Sequence, residues 1–303
     1  MLKTILITGA GTGIGKDAAK KLLARGHTVY ATTYSEAEIS ALQTELGPAA
    51  RIFKLDITRA EDRAKIADLD LDVLINNAAQ NLSGSLAEVN IDRVRGLFEV
   101  NLFSSLELTQ IAIRSMIARR GGTIIFMSSI TGRVPEPFVM PYSMTKFAIS
   151  AAAAGLRAEM KVLGKGIHVS VVEPGPYRTG FNQKLVGSQF ETIEREGSLF
   201  SPTQIEAHKK ATDSRLQRLA MIASNSRASL TPEIEKSGIN ANASRVKSST
   251  THRIRKRRPP DRLSETKSKL HRSFGLVGRT MGRRDPRARL RPFRRRTASF
   301  SSA

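Results

Sequence analysis

The chain has 303 residues, 40% of them hydrophobic, enough for a core in one large α/β domain or two small ones. With no cysteine, disulfide scaffolds, cysteine-ligated zinc, iron–sulfur clusters and thiol nucleophiles are excluded. A net charge of +22 suggests a nucleic-acid or membrane-surface binder, but the average misleads: residues 1–200 hold 23 basic and 20 acidic side chains, and residues 201–303 hold 26 and 7.

The chain opens on Met-Leu-Lys-Thr-Ile-Leu-Ile-Thr-Gly, whose short apolar stretch runs into glycine-rich turn chemistry and not into a small-residue cleavage site. No apolar run approaches the roughly 18 residues of a membrane span, so a cytoplasmic protein is expected. Aliphatic runs at 4–8, 28–32, 51–55, 72–76, 122–127 and 167–172 read as six strands. Being mostly continuous β-branched and Leu runs, they suit strands buried on both faces of a parallel sheet. Helical patterns fill the gaps, with one long helix over 89–119 and an alanine-rich one over 142–163. Such a pair of helices either packs on its own sheet or pairs with a second subunit.

Between the first strand and first helix stands Thr8-Gly9-Ala10-Gly11-Thr12-Gly13-Ile14-Gly15. Glycine there lets the backbone turn sharply and approach a pyrophosphate, while the helix N-terminus presents free N–H groups and its positive dipole end. Tyr142 and Lys146 stand four apart and so share a helix face. An ammonium one turn from a phenol favours the phenolate and moves the phenol toward the working range of an acid/base. Ser129 lies thirteen residues upstream, at the end of the fifth strand. Strand alternation sends the neighbouring Ser128 to the opposite face.

Thr-Gly-x-x-x-Gly-x-Gly, Asn76-Asn77-Ala78-Ala79 after the fourth strand, and Ser129, Tyr142 and Lys146 together resemble the short-chain dehydrogenase/reductase family over roughly residues 1–200. The resemblance implies a Rossmann-type, doubly wound parallel sheet in a three-layer α/β/α sandwich, and an NAD(P)-dependent oxidoreductase acting on a carbonyl or alcohol. It implies that Tyr142 exchanges a proton with the substrate oxygen, that Ser129 hydrogen-bonds that oxygen, that Lys146 binds the nicotinamide ribose and tunes Tyr142, and that Asn101 holds a proton-passing water. It also assigns cofactor contacts to Thr8, Gly9, Gly13, Ile14, Gly15, Thr33, Asp56, Asn77, Ala78, Pro174, Gly175 and Thr179, beside Tyr142 and Lys146. Homodimers or homotetramers are expected.

At the second strand's end, Ala31-Thr32-Thr33-Tyr34 carries neither the acidic residue of NAD-preferring relatives nor the Arg or Lys of NADP-preferring ones. Glu36 and Glu38 are read as the first turn of a helix, Ser35 and Glu38 forming a capping box. Hydroxyls at Thr33, Tyr34 and Ser35, with no carboxylate at 33 to repel a phosphate, favour NADP over NAD. The aromatic and aliphatic residues of 185–200 suggest a partial lid and a fairly apolar substrate.

Residues 1–200 are therefore expected to form the catalytic domain and 201–303 a basic, largely disordered tail. Its 17 Leu, Ile, Val and Phe fall below the roughly 20% that a packed segment needs. Some helix is expected over 204–223, and 274–277 is a candidate strand between the arginine clusters 253–258 and 291–296. The alternative function is nucleic-acid binding through those arginines, with the first domain a cofactor sensor or relic. Scarce aromatics there count against single-strand stacking, and the plain reading of the tail is an extension without function.

Overall fold

The computed structural model describes residues 1–119, 121–175 and 197–225, with positions 187, 190 and 193 between the last two blocks. All belong to the unit Met1–Ser244. Thr179, the segment 274–277 and both arginine clusters lie outside the described residues.

The six expected strands form. They are β1 (Thr4–Ile7), β2 (Thr28–Thr33), β3 (Arg51–Lys54), β4 (Val73–Asn76), β5 (Gly122–Met127) and β6 (Ile167–Val172), in one sheet of order β3-β2-β1-β4-β5-β6. Every pairing is parallel, Ile5 standing beside Val29 on one side and Val73 on the other. This is a Rossmann-type α/β fold, and its order reverses between β1 and β4. Such a switch point opens a crevice at the strands' C-terminal ends.

Consecutive strand residues enter opposite cores. Ile5 and Ile7 pack with Ala18, Ala19 and Leu22 of α1 (Gly13–Leu23) and Leu42 of α2 (Ile39–Leu46). Leu6, between them, packs on the other face with Leu108 and Met116 of α5 (Ser104–Ala118) and Ile149 and Ala153 of α6 (Met140–Leu163). Burial on both faces explains why the central strands β1, β4 and β5 read as nearly unbroken apolar runs, whereas the edge strands β3 and β6 carry exposed Arg51 and His168. A short α3 (Ala60–Ala64) follows β3.

The expected long helix over 89–119 is α4 (Ile91–Phe98) continuing into α5 through a π-turn at Glu99–Phe103, with Asn90 capping α4 by accepting from the N–H groups of Asp92 and Arg93. A π-turn inserts one extra residue into the ladder and tends to mark functional sites. Here it contains Asn101. A last helix among the described residues, α7, spans Pro202–Asn225, just beyond the boundary expected at 200 and over the stretch 204–223 where some helix was expected. Its start obeys a rule the helical spacing alone did not reveal: Ser201 N–H and Oγ donate to Gln204 Oε1 at 2.9 and 3.1 Å, with proline in the first turn. No helix among the described residues is long and apolar enough to cross a membrane.

Candidate active site

A cleft of about 570 Å³ opens at the switch point. Its lining joins Gly9, Gly11, Gly13 and Ile14 to Asp56, Asn77, Ala78, Ser129, Tyr142, Lys146, Pro174 and Gly175. Residues from six stretches of sequence thus meet in one concavity.

The glycine loop is locked to the end of β4. Thr8 Oγ1 accepts from the N–H groups of Asn77 and Ala78 at 3.0 and 2.9 Å, and the Asn77 amide donates to the carbonyls of Thr8 and Gly9 at 2.9 Å each. Gly9 sits at φ +63°, where a Cβ would stand 2.8 Å from Ala78 Cα. At Gly15 a Cβ would meet the Asn77 amide at 2.5 Å. These two glycines are required by the protein's own packing, whereas Gly13, at φ +59°, lines the cleft itself. The Thr12 side chain makes no cap hydrogen bond to α1, and the helix has no acidic residue in its first turn. The N-terminal N–H groups and dipole end are left for an anion from outside the helix.

At the other end, Ser129 stands just past β5, with Oγ accepting from Thr131 N–H and Oγ1 at 3.2 and 3.0 Å. Tyr142 is buried in the first turns of α6 among Leu82, Val94, Leu97 and Val139. Burial pushes its phenol well above the ordinary tyrosine range. That direction is opposite to the lowering expected from the ammonium one turn away. The reason is geometric: Lys146 Nζ stands 5.4 Å from the ring centroid and donates to the Met127 carbonyl at 2.9 Å. Lys146, itself only 3% exposed, is pushed down to about 8 by desolvation.

Asn101 is buried in the π-turn and does not line the cleft. Its amide donates to the Gln80 carbonyl and to Thr145 Oγ1, each at 3.0 Å, and its Oδ1 accepts from Gln80 N–H at 2.8 Å. It ties the segment after β4 to α6 beside Lys146. Asp56 lines the cleft wall two residues beyond β3, its Oδ1 accepting from Thr58 N–H and Oγ1 at 3.0 and 2.7 Å.

Thr33 is buried, its hydroxyl donating to the Ser35 carbonyl at 2.9 Å. The Ser35 N–H donates to Glu38 at 3.4 Å, the glutamate half of the expected capping box, and Glu36–Glu38 form a 3-10 turn leading into α2. The turn also has a placement that sequence reading missed. Glu38 lines the cleft, and its carboxyl lies 3.7 Å from where a Cβ on Gly11 would be.

A second unread feature flanks Tyr142. Phe138, four residues before it, holds φ +61°, a strained value for a side-chain-bearing residue. Its ring lies 4.2 Å from that of His208 on α7 and 5.1 Å from that of Phe200. Beside them Glu88 accepts from Ser198 Oγ at 2.9 Å and from Leu199 N–H at 2.7 Å. The end of the segment expected as a partial lid is therefore fastened next to Tyr142. Nothing local in the sequence marks Phe138 or His208, because their contact spans 70 residues.

Residues 3–189 match the short chain dehydrogenase family. The chain belongs to the short-chain dehydrogenase/reductase family of oxidoreductases. It is 31% identical over 211 residues to dehydrogenase/reductase SDR family member 7B of Danio rerio, spanning 64% of this chain and 68% of that one. It is 30% identical over 203 residues to the uncharacterized oxidoreductase YbbO of Escherichia coli K12, spanning 65% and 74%. Among solved structures, a gluconate 5-dehydrogenase from Burkholderia cenocepacia J2315, in complex with NADP and tartrate, matches with TM-score 0.56 and 30% identity over 61% of this chain and 75% of that one. Members of the family generally use NAD or NADP.

Proposed function

We propose that this protein is a nicotinamide-dependent oxidoreductase that interconverts a carbonyl and an alcohol, with Tyr142 as its acid/base. The observation that carries the reading is that Ser129, Tyr142 and Lys146 share one cleft with the glycine loop and the open N-terminus of α1. That loop and helix end fit a dinucleotide pyrophosphate, held by Gly13, Ile14 and the dipole of α1. Asn77, Ala78, Lys146, Pro174 and Gly175 line the course toward Tyr142. When bound, the dinucleotide supplies or accepts a hydride.

The protein's own part is proton delivery and orientation. A phenol that burial keeps protonated at neutral pH is equipped to give its proton to the oxygen of a carbonyl as that oxygen gains charge. Ser129 Oγ, at the mouth of β5, is placed to hydrogen-bond the same oxygen. In the reverse direction Tyr142 would first give its proton up toward the neutral amine of Lys146, which titrates near 8, and the resulting phenolate would take the alcohol proton. The apolar surroundings of Tyr142 favour a fairly apolar substrate. Asn101 acts by holding α6 against the segment after β4. Thr179 is assigned to the cofactor on resemblance alone.

The cleft supports NAD over the NADP favoured by sequence. Lys146 is the only Lys or Arg among its described lining residues, whereas Glu38 and Asp56 are acidic and the Thr33 hydroxyl is engaged. A ribose bearing a hydroxyl suits such a wall better than one bearing a phosphate. We further propose that the catalytic domain ends within α7, that the basic tail takes no part in the chemistry, and that the protein is a homo-oligomer.

The test is a fluorescence titration with NADH and with NADPH, which the absence of tryptophan leaves free of protein interference, followed by turnover of a panel of aldehydes and ketones. Tyr142→Phe should bind the cofactor as the parent does and lose turnover by 10²-fold or more, an order-of-magnitude expectation for a lost acid/base. Parent-like turnover by that variant would remove Tyr142 from the mechanism.

A further inference from the structure

Resting on that reading of Tyr142 and Lys146, we infer that Ser128, backed by Ser150 and Glu173, is a positioning residue that holds Lys146, and with it Tyr142, in register with Ser129. The residue beside Ser129 is thereby given a task of its own.

Consecutive residues at the end of β5 grip Lys146 at both ends. Met127 accepts from its ammonium at 2.9 Å, and Ser128 Oγ donates to its backbone carbonyl at 3.0 Å. The next residue is Ser129. That carbonyl lies inside α6, where it already serves the N–H four residues on, so the serine hydroxyl is a second donor to the turn bearing the catalytic pair. The grip is close: a Cβ on Gly132 would stand 2.8 Å from the Lys146 carbonyl oxygen and 2.9 Å from Ser128 Oγ.

Behind Ser128 the contacts continue in a line. Ser150 Oγ lies 2.8 Å from Ser128 Oγ and donates to Glu173 Oε1 at 3.0 Å, and the same oxygen accepts from Arg133 Nε at 2.7 Å. Each hydroxyl has one proton to give. With Ser150 donating to Glu173, Ser150 Oγ accepts from Ser128, whose one proton is shared between Ser150 Oγ at 2.8 Å and the Lys146 carbonyl at 3.0 Å. Glu173 immediately precedes Pro174 and Gly175 of the cleft. The line therefore joins the end of β5, α6 and the end of β6, the elements bearing Ser129, Tyr142 with Lys146, and the Pro-Gly turn. Ser128 and Ser150 are 4% and 8% exposed, so the line is inside the protein and not a solvated surface chain.

The experiment uses the full chain and three variants, Ser128→Ala, Ser150→Ala and Glu173→Gln, with Tyr142→Phe as control. Two quantities are read: kcat and KM on the aldehyde or ketone turned over fastest by the parent, and the pH titration of the Lys146 side chain by NMR on lysine labelled at Cε. Ser128→Ala should lower kcat about tenfold with cofactor affinity within about twofold, the signature of a misplaced acid/base pair. Its Lys146 midpoint should move up by about half a pH unit as the turn loosens and water enters. Ser150→Ala should shift both readouts the same way by about a third as much. Glu173→Gln, which keeps an acceptor for Ser150, should match the parent in both. A Ser128→Ala protein that folds and leaves kcat and the Lys146 titration unchanged overturns the inference, and if that variant does not fold, unchanged values in Ser150→Ala do so. Parent-like turnover by Tyr142→Phe strikes the catalytic reading instead, and the Lys146 titration still reports on the grip.

Discussion

Lys146 is a cation enclosed by protein, and its replacement should reveal what that enclosure costs. Burial lowers it from 10.5 to about 8. Because its folded value is the lower one, the unfolded chain binds the proton more tightly between those two values, so the native state gains stability as pH rises through that window. Below about 8 the lysine is charged in both states and the full penalty applies, about 3 kcal/mol by the proton-linkage relation. Lys146→Met removes that penalty and also removes the bond to the Met127 carbonyl, a loss of about 1 to 2 kcal/mol that does not depend on pH. The variant should therefore be about 1 to 2 kcal/mol more stable than the parent near pH 7 and about 0 to 1 kcal/mol less stable near pH 10. Urea unfolding of both proteins at half-unit pH intervals measures the difference, in which groups distant from residue 146 cancel. The lost bond sets the height of the difference curve, and the buried charge sets its slope. A difference that is flat from pH 7 to 10 would refute the placement of an ammonium in a dry environment.

Three further outcomes follow from the geometry. Gly9→Ala should destabilise the fold by about 2 kcal/mol or more, since its methyl meets the Ala78 backbone and its φ is positive; Gly13→Val, also at positive φ, should lower the melting temperature without abolishing the fold and should in addition weaken dinucleotide affinity at least tenfold, as thermal melts and the fluorescence titration will read. A chain ending at Asn225 should bind reduced cofactor as the full chain does, while salt-sensitive retention on a nucleic-acid column disappears with the removed arginines. Burial lowers His208 from its ordinary value, so its contact with Phe138 should weaken as pH falls below about 6.5 and unfolded-state protonation begins to win; His208→Phe should abolish that acid sensitivity in substrate KM.

Much of this architecture was legible because parallel sheets write themselves plainly. Strands buried on both faces need unbroken runs of Val, Ile and Leu, and each of the six runs became a strand with ends shifted by at most one residue. The loop glycines were equally legible, because positive φ and close approach admit few other residues. The 91–118 region shows where periodicity stops informing: a π-turn shifts the helical phase by one residue without interrupting the apolar pattern, so Asn101 reads as an ordinary helix position.

The parts of the site that escaped sequence reading depend on distances that no spacing encodes. Glu38 was assigned to a capping box and does reach the Ser35 N–H, yet the same side chain faces the cleft, because the turn after β2 folds back over the glycine loop. A residue can satisfy a local rule and a distant one together, and only the local one is visible in sequence. Tyr142 teaches the complementary lesson. Its spacing to Lys146 suggested an ammonium acting on a phenol, but the ring lies in an apolar cluster and the ammonium is drawn to a backbone carbonyl, so burial governs both groups and drives them in opposite directions. Two buried neighbours, each biased toward its neutral form, hold a proton-donating phenol beside a readily neutralised amine at ordinary pH. For the proton delivery to a carbonyl proposed above, that pairing is more useful than a standing phenolate, since a phenolate would have no proton to give.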